Sequence, residues 1–192
     1  GRFSPEPQRI VWVYGEMQFA YGELARDVPG IEFVKGFTNE LYETFDSTVR
    51  NLLILDDQME NKAVRKRGDN AVTKFFTQGS HHRNLTVVYI VQNLFNQDAA
   101  MRTISLNTHY MVLFKNPRDA TQVRTLSQQM YPDNPRMLME AYRDATSQPY
   151  GYLLLNLRPD AVDALRIMTD VFAKTPSVYI PIETVSKAQR RV

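Results

Sequence analysis

Apolar residues fall along this chain in short runs, and between the runs they recur at helical spacing. The run Ile10-Val11-Trp12-Val13-Tyr14, stopped by Gly15, predicts a buried strand. Met17, Tyr21 and Leu24 then set an apolar stripe on a helix over 16–27, which Pro29-Gly30 terminates. A second short strand follows over 31–34, closed by Gly36, and Leu41, Tyr42 and Phe45 suggest a brief helix. The strongest strand is 51–55, where four consecutive apolar residues lead directly into Asp56-Asp57. Such a run without alternation fits burial on both faces, as in the centre of a parallel sheet.

Residues 61–70 are basic and contain glycine, and read as a loop or frayed helix. Ala71, Val72, Phe75 and Phe76 line one face of a helix ending at Gly79. A nearly all-apolar strand over 85–91 ends in Gln92-Asn93. Asp98 can cap a helix through Leu106. Another strand, expected to be buried, spans 110–114 and ends in Lys115-Asn116. Asn116 or Asp119 caps a helix through Met130, and Leu138, Ala141, Tyr142 and Ala145 mark one more. A strand over 151–157 and an edge strand over 166–172 complete the set. Strands alternating with helices, most strands apolar on both faces, predict an α/β fold with a mostly parallel sheet flanked by helices. One domain over 1–172 is expected, with an extended or mobile tail over 173–192.

The 192 residues suffice for a single sizeable core, and 43% hydrophobic with 23% charged residues is ordinary for a globular chain. No apolar run approaches the ~20 residues of a membrane helix, and no signal-peptide pattern opens the chain. With no cysteine, disulfides and thiolate metal sites are excluded. A net charge of +2 does not by itself argue for nucleic acid. Basic residues do cluster at Lys62, Arg65, Lys66 and Arg67, and again at Lys187, Arg190 and Arg191.

In an open α/β sheet, functional side chains gather at the carboxyl ends of the strands. Asp56-Asp57, Gln92-Asn93 and Lys115-Asn116 are all expected on that edge. Two adjacent carboxylates repel, and each is costly to desolvate unless a cation compensates. Mg²⁺ with a bound nucleotide would do so: Asp56 would hold the metal's hydration shell, and Asp57 would orient and deprotonate the attacking water. The bland alternative makes the pair a helix cap, with Asp56 as the N-cap. Gln92 could hydrogen-bond a γ-phosphate or the lytic water. Arg83 precedes the same strand at its opposite end, roughly 25 Å from Gln92 for an extended strand. It could therefore reach only the nucleotide of a neighbouring subunit, as an arginine finger, or else be a solvated loop cation. Adjacent His81 and His82 without carboxylates make a poor metal site. Trp12, Tyr14 and Met17 read as core rather than as a base-stacking pocket. Arg102, Lys115 and Arg118 take no assigned role.

At this point the runs LLILDDQM (52–59), FFTQGSHHRNLTVVYIVQNLF (75–95) and RTISLNTHYMVLFKNPRDATQVRTLSQQMY (102–131) are joined by IVWVYGEMQ (10–18) and AYRDATSQPYGYLLLNL (141–157). Together they resemble the DNA-packaging ATPases of Polinton/Maverick elements and adintovirus-type viruses, within the FtsK/HerA group. The resemblance covers nearly all of the chain except its last stretch. It implies a RecA-like P-loop NTPase core whose ATP hydrolysis is carried by Asp56, Asp57, Gln92 and Arg83. It implies ATP and Mg²⁺ as cofactors. It also implies a homo-oligomeric ring that pumps double-stranded DNA into a capsid, in contact with capsid or portal components and not with a membrane. Pore-loop contacts to DNA phosphates would fall to Lys62, Arg65, Lys66 and Arg67. Such a protein would work inside the host cell, in nucleus or cytoplasm, during virion assembly, or within the virion.

One departure stands out. Family members begin with a strand and a Gly-x-x-x-x-Gly-Lys-[Ser/Thr] loop, whereas these 192 residues contain no Gly-Lys pair. That loop supplies backbone N–H groups and a lysine for the phosphates. The expectation is that the Walker A strand and helix are truncated or lost, so that the chain alone does not hydrolyse ATP. Sheet edges should then be left apolar and unpaired. The competing reading is a non-catalytic oligomerisation or DNA-binding module of the same fold. An unrelated Rossmann-like enzyme would need a Gly-rich turn after the first strand, where only isolated glycines occur.

Overall fold

The computed structural model describes residues 5–56, 71–79, 82–93, 99–118 and 120–181. They fall into two compact units, residues 1–108 and 109–192. Asp57, Lys62, Arg65, Lys66, Arg67, His81, Asp98, Asp119 and the basic residues from Lys187 onward lie outside the described residues.

The first unit is built on four parallel strands: β1 (Arg9–Tyr14), β2 (Ile31–Lys35), β3 (Asn51–Asp56) and β4 (Leu85–Ile90), in the order β2-β1-β3-β4. Helix α1 (Phe19–Asp27) makes the crossover from β1 to β2. The brief helix expected near Leu41 is a 3-10 turn, Asn39–Thr44. Between β3 and β4 runs α2 (Ala71–Lys74), which widens into a π-helical turn, Phe75–Gly79. After β4 comes α3 (Ala99–Leu106).

Strand pleating divides the apolar residues between two faces. Val11, Val13, Leu53 and Leu55 point into the main core with Val72, Phe75, Met101 and Ile104, so α2 and α3 cover that face. Phe75 is the hub: fully buried, it meets Phe37, Tyr42 and Phe45 edge-on at ring-centroid distances of 5.5, 5.2 and 6.0 Å. On the other face Tyr21 of α1 contacts Trp12 and Phe33 at 5.6 and 5.5 Å. Trp12 and Tyr14 are thus packing residues, while Met17 is 64% exposed.

The second unit differs from the single parallel sheet expected. Strands β5 (Tyr110–Phe114), β6 (Tyr152–Asn156), β7 (Ile167–Thr169) and β8 (Ser177–Val178) form a separate antiparallel sheet in that order. The reason lies in the connection. A single crossover helix returns the chain for a parallel strand, but here two helices, α4 (Ala120–Met130) and α5 (Pro135–Ala145), intervene. The second brings the chain back to the end where β5 stopped: the Tyr142 hydroxyl donates to the Phe114 carbonyl and accepts from the Asn116 N–H. β6 therefore starts opposite Phe114 and runs antiparallel.

Two further expectations change. The strand near 166–172 is short and lies between β6 and β8 rather than at an edge. The segment after Ala173 contributes β8, and the Tyr179 hydroxyl donates to Asp144 Oδ2 at 2.7 Å. No helix among the described residues is long and apolar enough to cross a membrane.

Candidate functional site

The parallel ladder decides which polar residues meet. Asp56, the last residue of β3, lies opposite Ile90 of β4. Gln92 follows just beyond β4 and is exposed. Asp56 and Gln92 are thus delivered to one edge by neighbouring strands, the carboxyl edge on which an α/β sheet carries its chemistry. By the same registers, that row of residues continues through Tyr14 of β1 to Lys35 of β2.

Asp56 is held by a partner that the sequence does not announce. The Tyr21 hydroxyl donates to its Oδ2 at 2.8 Å. Tyr21 is 5% exposed and wedged against Tyr14 at 5.4 Å and against Phe33. Its ring fills the sheet face while its hydroxyl fixes the carboxylate, the two-ended behaviour that suits tyrosine at a buried edge. In the sequence Tyr21 counts only as one apolar residue of a helical stripe; the contact spans 35 positions and leaves no local signal.

Mg²⁺ usually keeps several waters and takes one or two carboxylates together with substrate phosphates. Asp56 is the carboxylate among the residues that end the four strands here, already oriented by Tyr21, which suits a water-mediated hold. No group of three or more His, Asp or Glu among the described residues is placed to cage a metal directly.

The opposite edge is a structural anchor. Asn51 is 2% exposed and its Nδ2 donates to the carbonyls of Asp46, Val49 and Arg83 at 2.7, 3.0 and 3.0 Å. Arg83 stands here, at the far end of β4 from Gln92, as expected. It is not a free loop cation. Its guanidinium donates to Glu43 Oε2 at 2.6 Å and to the Phe45 carbonyl at 3.2 Å, and lies 5.1 Å from the Tyr42 ring centre. Lys74 approaches the same Glu43 carboxylate at 3.6 Å.

No protein-family model matches the chain. No curated protein matches it. Among solved structures it is similar to the genome packaging NTPase B204 from Sulfolobus turreted icosahedral virus 2, determined in complex with ATP-gammaS. Identity is 12% and the TM-score 0.49, over 91% of this chain and 84% of that one. The site above stands on this chain's own geometry.

Lys115 and Asn116 do not share the hydrogen-bonded sheet of Asp56: among the described residues β5 pairs with β6 alone. Asn116 is occupied in its own turn, its Oδ1 accepting the Arg118 N–H at 3.1 Å. The edge that remains is the pair Asp56 and Gln92, with Tyr21 behind it.

Proposed function

We propose that this chain is core material of an ATP-driven motor that packages double-stranded DNA, of the FtsK/HerA type its sequence resembles. In this reading it acts in a homo-oligomeric ring with capsid or portal components. The observation that carries the proposal is the delivery of Asp56 and Gln92 to one carboxyl edge by adjacent parallel strands, the first of them buried along most of its length.

In this reading Asp56 holds Mg²⁺ through water, with Tyr21 fixing the carboxylate. Bound Mg²⁺ and ATP would supply the phosphoryl group and neutralise the charge that develops on it. Asp57 takes a proton from the attacking water, and Gln92 reads the γ-phosphate. Arg83 serves the neighbouring subunit, exchanging Glu43 for a phosphate when the ring closes. Lys62, Arg65, Lys66 and Arg67 grip DNA phosphates without regard to sequence.

The alternative is a non-catalytic oligomerisation or DNA-binding module of the same fold. A phosphate-release assay separates the two. The 192-residue chain alone should show no magnesium-dependent turnover. Joined to a strand and loop carrying Gly-x-x-x-x-Gly-Lys-Thr, it should turn over ATP, and Asp57→Asn or Gln92→Ala should abolish that activity. Turnover by the chain alone would refute its dependence on such a loop. Silence from the joined protein, if nucleotide still binds, would refute the motor and leave the module.

A further inference from the structure

At the end of the sheet opposite Asp56, two cations converge on one acid. Glu43, on the 3-10 turn Asn39–Thr44, meets a different cation at each carboxylate oxygen. Arg83 Nη2 lies 2.6 Å from Oε2, and Lys74 Nζ lies 3.6 Å from Oε1. Both cations also rest against the Tyr42 ring, at 5.1 and 4.0 Å from its centre. That ring is fixed. Tyr42 is buried and meets Phe75 edge-on, and Gly79 lies so close that a Cβ there would stand 3.2 Å from the ring edge.

The local fold explains the convergence. Lys74 ends α2, and the π-helical turn Phe75–Gly79 follows at once; such widened turns are frequent at functional sites. The Gly79 carbonyl accepts the Arg83 N–H at 3.0 Å, which draws the start of β4 back toward the turn. The partners of Arg83 are unequal. The Phe45 carbonyl and the Tyr42 ring belong to buried core residues and stay where they are. The Glu43 side chain is 62% exposed, so it can swing into water at little cost. The charges are unequal too: two cations on one carboxylate leave a surplus of one. A terminal phosphoryl group carries a charge of about −2. It offers a guanidinium the same paired oxygens as a carboxylate, and it would balance both cations.

We propose that Glu43 is a lock on a phosphoryl-binding site made by Lys74 and Arg83 on the Tyr42 ring. In the resting chain the Glu43 carboxylate fills the place of the terminal phosphate of a nucleotide. When that phosphate arrives, Glu43 moves out to solvent, while the Phe45 carbonyl and the Tyr42 ring keep the Arg83 guanidinium aimed. That the nucleotide belongs to a neighbouring subunit rests on the function proposed above; the lock rests on the cluster itself.

The test uses the full 192-residue chain with inorganic tripolyphosphate as the probe, followed by isothermal titration calorimetry. Glu43→Gln should tighten binding about tenfold. Adding Arg83→Gln or Lys74→Gln to that variant should remove the gain. Glu40→Gln takes the same charge from an exposed position on the same turn, and should leave affinity within about twofold of the parent. A short DNA duplex, whose phosphates are diesters, should gain nothing from Glu43→Gln. In the unaltered chain, saturating tripolyphosphate should shift the Arg83 guanidinium and Glu43 carboxyl signals together in magnetic resonance spectra, so the outcome does not depend on a variant folding. No gain from Glu43→Gln, an equal gain from Glu40→Gln or for the duplex, or unmoved signals would each overturn the proposal. No turnover is measured, so a motor that fails leaves the lock standing, and a lock that fails leaves Asp56 and Gln92 untouched.

Discussion

At the scale of single residues, the two arginines that matter most are set by partners far along the chain. Arg9 bridges Glu32 through Nε and Nη2 at 2.8 and 3.0 Å. That hydrogen bond holds the Glu32 carboxyl below its ordinary value. The group therefore contributes stability above the carboxylate range, and the contribution fades as pH falls through the depressed folded value. Arg83 is tied to Glu43, Phe45 and the Tyr42 ring. Arg83→Ala should therefore lower the stability of the isolated chain by about 1–2 kcal/mol, read as a drop in urea midpoint at unchanged slope. A side chain waiting only for a neighbour's nucleotide would leave the midpoint where it was. Neither anchor is legible in the sequence. Arg83 can be placed at the correct end of β4, because strand length is a local property. Its acid lies 40 positions away, and nothing about Glu43 marks it.

Whole elements are legible where one pattern allows one structure. The apolar run into Asp56 predicts a central strand, and β3 is central. The run at 110–114 looks much the same, yet among the described residues it is the outer strand of an antiparallel sheet. An apolar run reports that a strand can be covered on both faces, not what covers it. The deciding fact is the double-helix return through α4 and α5, which reverses the next strand. β8 gives no sequence signal, because two residues between prolines and charges carry no periodicity. Its attachment makes a measurable prediction. Burial and the bond to Asp144 push the Tyr179 phenol above the usual tyrosine range. Its contribution is then fully present below the unfolded tyrosine pKa and lost as pH rises through the folded value. In an ultraviolet titration, Tyr179→Phe should remove one of the late-ionising phenols, and in urea it should lower stability at neutral pH by a margin that closes as pH rises through the folded value.

At the scale of the whole molecule, the proposed motor reading makes a demand on salt. If Lys62, Arg65, Lys66 and Arg67 grip phosphates, replacing all four by alanine should weaken double-stranded DNA binding equally for unrelated sequences. The slope of log K against log salt should flatten by about 0.9 for each phosphate left without its cation. A change in sequence preference with an unchanged slope would remove these residues from the DNA interface. The fold itself is half visible in the sequence. The parallel β2-β1-β3-β4 sheet follows from its runs. The antiparallel second sheet follows from a connection whose two helices are legible but whose effect on strand direction is not.

Asn51 carries one more implication. Aspartate has nearly the same shape as asparagine and differs from it by a single codon letter, so a change there would leave the packing untouched. Yet the amide nitrogen that now serves three carbonyls would become an oxygen facing three oxygens. An Asn51→Asp substitution should therefore loosen the sheet from the end opposite Asp56, so that a single atom exchanged at the seam undoes what the shape alone would preserve.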